Sequence, residues 1–475
     1  MSDPVLLTDE QMQRFIAHGF LRLQTQLSDA ANRKIFDRFD AFVGGETSRN
    51  PGNNLLPAVP EMNEVFADPV MRGALISTVG PDHAMHPHRA LHNNKPGSEA
   101  QAMHKDSYWG YTRRVRNHRS RWVMIMYVPQ DTPVDRGPTG VVPGTQYLMR
   151  RPLETVAPEA AGALAAGGFL LIHYDIWHRK MKNHTTGKRF MAKFEFIRMQ
   201  APRAASWDHR DPDWRLNDLP GTDLSPLWSR QWDWLRAAPS KLIPLDPALA
   251  QALRDPEEPA RLNAAYRLAS AGGAAIGILA EAFREGDGQD LETDHVGHDE
   301  AVADTSALTR ASAYGLAEIG AAAAPALLDL LAGSAPRGRK YAAYALGEIA
   351  SPDRAIDAAL CHATRDDEAA VRINAVEALG LRPATASNVA ALGNAIRDSD
   401  PHVRFSAALS LAQLGPAADP AVPALGEALL DRNRYVPGYA VEALERIATP
   451  RALQTLIPFL KSARWCPHTN ETSIF

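Results

Sequence analysis

A histidine and a carboxylate two residues apart, in Met103-His104-Lys105-Asp106, are the first residues of this chain whose spacing suggests chemistry. In an extended segment residues i and i+2 project from one face, so His104 and Asp106 can approach a single ion. An imidazole and a carboxylate make two thirds of a 2-His-1-carboxylate facial triad. That triad leaves adjacent positions open on iron(II) for a bidentate keto acid and dioxygen. The pattern alone does not discriminate, because His173-x-Asp175 and His209-x-Asp211 also match it. Chain order separates the three. Only the first is followed by strand, turn, strand and then a distal histidine, His178, at the end of the apolar run 168–178. Arg189 lies eleven residues further on, at the head of the strand-like run 189–196. A hairpin between these two runs would return Arg189 to the side of His178. There a planar guanidinium can grip a carboxylate through two parallel hydrogen bonds, each worth about 1.5–3 kcal/mol. His173 has the opposite strand parity to His178, so His173 and Asp175 are expected to support the site or pack in the core. His209 is expected in a surface loop.

The elements that must position these groups can be read from the same sequence. Thr8-Asp9-Glu10-Gln11 has the layout of a capping box at a helix start, and the helix should stop at Gly19 before the strand Phe20-Leu21-Arg22-Leu23. Up to about Pro239 the chain mixes strand-like runs with Gly/Pro turns and holds eight of the nine tryptophans. Trp207, Trp214, Trp228, Trp232 and Trp234 should pack a linker helix onto one of the two halves. Past the joint 238–245, alanine and leucine dominate and one motif recurs, as in Arg339-x-x-Ala342-Ala343-x-x-Leu346. Its copies begin at Arg261, Thr309, Arg339, Arg372, Arg404 and Pro437, with steps of 48, 30, 33, 32 and 33 residues. A constant period built from paired helices predicts a solenoid, and these repeats resemble HEAT repeats. The long first step contains the acidic insertion 285–304, read as a solvated loop.

The first part, from about Leu7 to about Gln200, resembles the phytanoyl-CoA dioxygenase family. The likeness is carried by the Thr8 helix, Gly19-Phe20, His104-Lys105-Asp106, Trp122, Gly137-Pro138-Thr139, Pro143-Gly144-Thr145, His178, Asn183 and Arg189. It implies a mainly-β double-stranded β-helix, or jelly roll, with flanking helices, ahead of the all-α solenoid. It also implies that His104, Asp106 and His178 bind Fe(II) and that Arg189 holds the cosubstrate 2-oxoglutarate, with Trp122 and Asn183 completing the cosubstrate-binding set. O2 would be the oxidant, with release of succinate and CO2 through a ferryl species. Gln146 departs from the family, which often has histidine after the Pro-Gly-Ser/Thr turn. The carboxylate at Asp106 argues for hydroxylation over halogenation.

The expected domains are an oxygenase at 1–245, a HEAT-like solenoid at 246–465 and a C-terminal tail at 466–475. Tyr108, Trp109 and Tyr111 follow the metal motif and are expected at the pocket mouth, as substrate contacts or as lid packing. The basic run Arg113, Arg114, Arg116, Arg119 and Arg121 reads as a solvated face, or as a means of steering an anionic or carrier-linked substrate. A net charge of −4 gives no field for nucleic acid. No apolar run approaches the roughly 18 residues of a membrane span, and no basic-then-apolar leader pattern opens the chain. With only Cys361 and Cys466 there is no disulfide framework, which suits the cytoplasm. The function implied is dioxygenase oxidation of a small organic metabolite in specialised metabolism, the repeats serving as a docking arm, a self-association surface or a wall of the site. The alternatives are a protein hydroxylase whose repeats grip a protein substrate, and a non-catalytic scaffold.

Overall fold

The computed structural model describes residues 2–43, 52–106, 115–150, 152, 156–287, 292–295, 301–305 and 307–462. The first part runs α1 (Asp9–His18), β1 (Phe20–Gln24), α2 (Asp29–Val43), α3 (Leu55–Ala58), α4 (Met62–Ala67), α5 (Pro69–Val79), β2 (His83–Asn94) and β3 (Trp122–Tyr127). It continues with β4 (Thr139–Val141), β5 (Gly168–His173), β6 (His178–Lys180), β7 (Arg189–Arg198) and α6 (Ser225–Leu235). Helix α1 starts and stops as expected. Thr8 and Gln11 form a reciprocal capping box, and Gly19 ends the helix at φ 83°, a left-handed conformation that suits glycine.

Five strands form an antiparallel sheet in the order β1-β5-β3-β7-β2, and β4 pairs with β6 in a second, smaller sheet. Strand alternation divides β7 between two jobs. Phe190, Phe194 and Phe196 face the helical layer, where Phe36, Phe39 and Phe66 meet them edge-on. Arg189, Met191, Lys193 and Glu195 therefore share the opposite, inner face. These facing antiparallel sheets are the expected jelly roll. The run 168–178 is not one strand, however. It turns after His173 and crosses to the smaller sheet at His178, so β6 and β7 form no hairpin. The parity argument about His173 fails for that reason.

The second part runs α7 (Leu249–Ala252), α8 (Glu258–Ser270), α9 (Ile276–Asp287), β8 (Glu292–His295), β9 (Ala301–Thr305), α10 (Ala307–Ile319), α11 (Ala324–Gly333), α12 (Pro336–Gly347) and α13 (Arg354–Ala363). It ends with α14 (Ala369–Gly380), α15 (Ala386–Ala395), α16 (Pro401–Leu414), α17 (Val422–Ala428), α18 (Tyr435–Ile447) and α19 (Pro450–Ser462). The recurring motif lies on α8, α10, α12, α14, α16 and α18, which stack one on the next. Small residues set the spacing: a Cβ on Gly347 would come within 2.6 Å of the Ala378 Cβ. The recurring arginine ties each repeat to the next. Arg339 pairs with Asp366, Arg372 with Asp398 and Arg404 with Asp431, each through two hydrogen bonds. Within the acidic insertion, β8 and β9 pair as an antiparallel ribbon.

One stretch corrects the membrane reading. Ala307–Gly333 reaches a mean hydropathy of 1.5 over 18 residues, enough by length and composition for a span. It is the α10–α11 pair, broken at Gly320, where φ is 78°.

The motif helices also form the wall against which the jelly-roll part packs. Residues 115–121 run along it: Asn374 accepts from Val115 N at 3.1 Å, the Tyr314 hydroxyl donates to Arg116 O at 2.7 Å, and His118 stacks on Tyr314 at 3.8 Å. The basic run is thus no solvated face over its described residues. Arg116 pairs with Asp175, and Arg119 and Arg121 reach Glu348 Oε2 at 2.6 and 2.9 Å. Burial opposes the charge of Glu348, but Arg121 and Arg119 outweigh it and hold its carboxyl below the usual range. Trp207, Trp214, Trp228 and Trp232 cluster around α6, with Trp232 near both Trp207 and Trp214. Trp234 lies beneath Arg119, Arg121 and Arg198.

Candidate metal and cosubstrate site

His104 and His178 are brought together by the backbone. Each donates its N–H to the other's carbonyl at 3.0 Å, forming an antiparallel bridge between the His104 segment and β6. Side chains of directly paired residues share one face, and the two rings lie 4.6 Å apart. Alternation then points Asp106 to the same side. Lys105 points away, where its ammonium donates to Leu148 O at 2.6 Å and braces the turn. Asp106 Oδ1 is 3.9 Å from His104 Nε2, and its Oδ2 is 3.8 Å from His178 Nε2. All three side chains are buried, with ligand atoms within 4.8 Å of one another.

The histidine tautomers favour a metal. His104 Nδ1 lies 2.9 Å from Ala102 O, and His178 Nδ1 lies 3.0 Å from Ile176 O. A carbonyl only accepts, so each Nδ1 carries the proton and each Nε2 turns its lone pair toward Asp106. Burial opposes ionisation of Asp106, but the Lys193 ammonium beside it outweighs burial and holds the carboxyl well below its usual range. Two neutral imidazoles and one carboxylate are the donor set of a facial triad.

Arg189 is 1% exposed. Its Nε and Nη2 donate to Gly137 O at 3.1 and 2.5 Å, and no carboxylate among the described residues pairs with it. Burial without a counter-charge lowers its pKa to about 10. A buried cation held by a neutral carbonyl is costly unless an anion joins it, and a carboxylate fits.

Two expected cosubstrate residues do other things. Asn183 spends its amide on structure: Nδ2 donates to Asn94 O and Gly187 O at 3.1 and 2.9 Å, while Oδ1 accepts from Thr185 N and Oγ1. It shapes the turn that delivers Arg189. Trp122 pairs with Ile197, eight positions along β7 from Arg189, roughly 26 Å at strand rise. It faces His86, Tyr174 and a cavity of about 80 Å³ against the solenoid. Tyr108, Trp109 and Tyr111 lie outside the described residues. Gln146 turns from the metal site and donates to Ile16 O at 2.8 Å. His173 and Asp175 are buried supports, and His209 is half-buried with its ring on Asp9.

Lys193 and Glu195, on the same face of β7 as Arg189, were missed. Lys193 Nζ is 2.8 Å from Asp106 Oδ2 and 3.8 Å from Glu195 Oε1. Burial pushes the Glu195 carboxyl far above its usual range, beyond what Lys193 offsets. Period-two alternation from Arg189 would have found both residues.

Residues 6–191 match the family model described as phytanoyl-CoA dioxygenase, residues 356–436 match HEAT repeats, and residues 436–462 match PBS lyase HEAT-like repeats. Residues 6–191 thus carry a phytanoyl-CoA dioxygenase domain, and residues 356–462 carry HEAT and HEAT-like repeats. The chain matches no curated protein sequence. Among solved structures, it resembles the nickel complex of ThoJ, described as a non-heme monooxygenase, at 17% identity, covering 46% of this chain and 93% of that one, with a TM-score of 0.33. HygX from Streptomyces hygroscopicus, with nickel, 2-oxoglutarate and hygromycin B bound, aligns at 15% identity over 46% and 98%, with a TM-score of 0.34. SnoK, described as an alpha-ketoglutarate-dependent carbocyclase from nogalamycin biosynthesis, aligns at 16% over 42% and 88%, with a TM-score of 0.32.

Proposed function

We propose that this protein uses iron(II), 2-oxoglutarate and dioxygen to hydroxylate or otherwise oxidise a small organic molecule. The observation that carries the reading is the convergence of two carbonyl-locked histidines and a buried carboxylate, facing β7 of the larger sheet, which buries an arginine that no carboxylate among the described residues pairs with. His104, Asp106 and His178 would hold the metal. Arg189, steadied by Gly137 O, would hold the distal carboxylate of 2-oxoglutarate. Bound there, the pair supplies the oxidising power, with dioxygen consumed and succinate and CO2 released. The protein's own work is placement. The His104–His178 bridge fixes the two rings, Lys193 keeps Asp106 ionised, and burial of all four groups excludes water.

A small substrate is favoured over a protein one, because residues 115–121 already lie along the motif helices that would grip a polypeptide. The domain limits 1–245 and 246–465, a cytoplasmic location and a place in specialised metabolism belong to the same proposal. The test is anaerobic titration with iron(II) and 2-oxoglutarate, following the weak visible charge-transfer band. Wild type is expected to form the band, His104→Ala to abolish it, and Arg189→Ala to weaken 2-oxoglutarate binding at least tenfold. If neither iron nor 2-oxoglutarate binds wild type, the proposal fails.

A further inference from the structure

Strand β7 ends as it begins, on a buried arginine that no carboxylate among the described residues pairs with. Arg198 is 3% exposed and lies nine positions from Arg189, roughly 30 Å at strand rise. Its Nη2 donates to Thr78 O at 3.1 Å, while Nε and Nη1 find no acceptor among the described residues. Gly80 leaves room for this side chain: a Cβ there would come within 2.8 Å of Arg198 Nη1. The residue opposite, on the strand beside it, carries the same charge. Trp122 pairs with Ile197 and Arg198 N donates to Arg121 O at 2.8 Å, so the two arginines are cross-strand neighbours. Like charges placed that way repel. The Trp234 indole takes both guanidinium groups, at 5.5 Å from Arg198 and 5.2 Å from Arg121, and Arg119 shares the ring at 5.4 Å. Burial, together with the charge of Arg121, lowers the pKa of Arg198 to about 9.

Three hollows share these guanidinium groups. The cavity of about 80 Å³ against the solenoid is lined by Arg119, Arg121 and Arg198 together, with His173 and Glu348, and has room for more than one water. A groove of about 580 Å³ reaches Arg119 and Arg121, and a second of about 580 Å³ reaches Arg198. Exposed Arg203 lines both grooves and has no carboxylate partner among the described residues. The carboxylates nearby are already engaged. Glu348 takes Arg119, Arg121 and Asn117, Asp175 takes Arg116, Asp82 takes Arg446, and Glu377 accepts from Ser406. A neutral donor adds to the set. His173 Nδ1 accepts from Asp175 N at 3.2 Å, so Nε2 carries the proton, and that N–H is buried without an acceptor. Three residues of one cavity thus hold buried N–H groups without acceptors, and two of the three are cations. Such a set is costly in an empty seam and is satisfied by an anion that brings oxygens.

We propose that Arg198 and Arg121, with Arg203 at the rim, form a second oxyanion site at the seam of jelly roll and solenoid, for a phosphate or carboxylate group of a small ligand. The anion sits beside Trp234 and relieves the repulsion between the paired arginines. Leu381 and Gln413 of the solenoid line the same hollows, so occupancy stabilises the seam. The site lies at the opposite end of β7 from Arg189 and needs no metal. It stands or falls independently of the oxygenase reading.

The test uses the full chain without metal, titrated by calorimetry with sodium phosphate and with sodium acetate at constant ionic strength. Wild type should bind at least one of the two, and its denaturation midpoint should rise as that anion saturates. Tighter phosphate marks a phosphorylated ligand, and tighter acetate a carboxylate. Arg198→Met should weaken binding at least tenfold. Without added phosphate or acetate it should keep or raise the midpoint, because it removes a buried charge that has no counter-charge. Arg203→Glu, at an exposed position, should weaken binding at least fivefold and decides the matter alone if Arg198→Met does not fold. Arg432→Glu, on an exposed stretch of the solenoid, should bind as wild type does. A merely structural Arg198 gives the opposite pattern: its loss lowers the midpoint and leaves anion binding unchanged. That pattern overturns the site, as does no binding to wild type or wild-type binding by Arg203→Glu. An equal loss in Arg432→Glu reduces the effect to general surface charge and overturns it too.

Discussion

The solenoid and the jelly roll hold charge in opposite ways. Along the repeats, Arg339–Asp366, Arg372–Asp398 and Arg404–Asp431 are the same contact made three times, each between residues 26 or 27 apart and each partly open to water. At the oxygenase site and its seam with the solenoid, each paired charge is used once, is buried, and meets its partner from a distant part of the chain. Arg119 and Arg121 meet Glu348 more than 220 residues away, and Lys193 meets Asp106 across 87. Repetition makes the first arrangement tolerant. Uniqueness makes the second brittle, and gives it chemistry.

Glu348→Ala should test that contrast most severely. It would strand the buried Arg121 guanidinium and leave Arg119 only Glu318 at 3.4 Å, and breaking a buried pair costs about 3–5 kcal/mol. The expected result is a large fall in denaturation midpoint, or insoluble protein. A midpoint within a degree or two of wild type would mean that the seam is no more brittle than the repeats.

Acidification is the next largest effect. Burial lowers the pKa of His88 to about 2 and of His173 to about 4, and drives His118 well below its ordinary value. Each is neutral when folded, while the unfolded chain binds a proton near pH 6.5. The stability they contribute is therefore complete above about pH 6.5 and is lost as pH falls below it. At pH 5 the loss is about 2 kcal/mol per histidine. Thermal melts between pH 7.5 and 5 should fall steeply, and His118→Asn should flatten the slope. An unchanged slope would show that this histidine is already solvated.

Gly438→Ala should cost about 1–3 kcal/mol by overpacking against Pro87, whose Cβ would lie within 2.5 Å of the new one. It should also disturb His86, between Tyr439 and Glu195, read as a weaker iron–2-oxoglutarate band. Arg404→Ala should be the mildest, at about 1 kcal/mol or less for a partly exposed pair. A loss as large as that of Glu348→Ala would erase the contrast between the two regions.

Much of this could be read from local pattern. The capping box at Thr8, the repeat period, the His104-x-Asp106 spacing and the distal His178 and Arg189 all depend on residues a few positions apart, or on a motif that recurs. The route of the chain between His173 and His178 could not be read, because the turn there exchanges one sheet for the other and no turn-forming glycine or proline marks it. Asn183 and Trp122 were placed by likeness to a family. Hydrogen bonding within a turn and distance along β7 assign them differently. The basic run around Arg119 looks solvated in one dimension, since its carboxylate partners lie some 200 residues away.

By itself, then, the sequence determined the two architectures, the candidate metal-binding trio that the fold brings together and the arginine expected to hold the cosubstrate. Strand alternation and helical periodicity are short-range rules that any window of residues obeys. Only the tertiary structure decided that the repeats pack against the jelly roll, that Lys193 meets Asp106, and that Arg119 and Arg121 meet Glu348. Those contacts depend on burial and on charges meeting across hundreds of residues, and no local spacing records them.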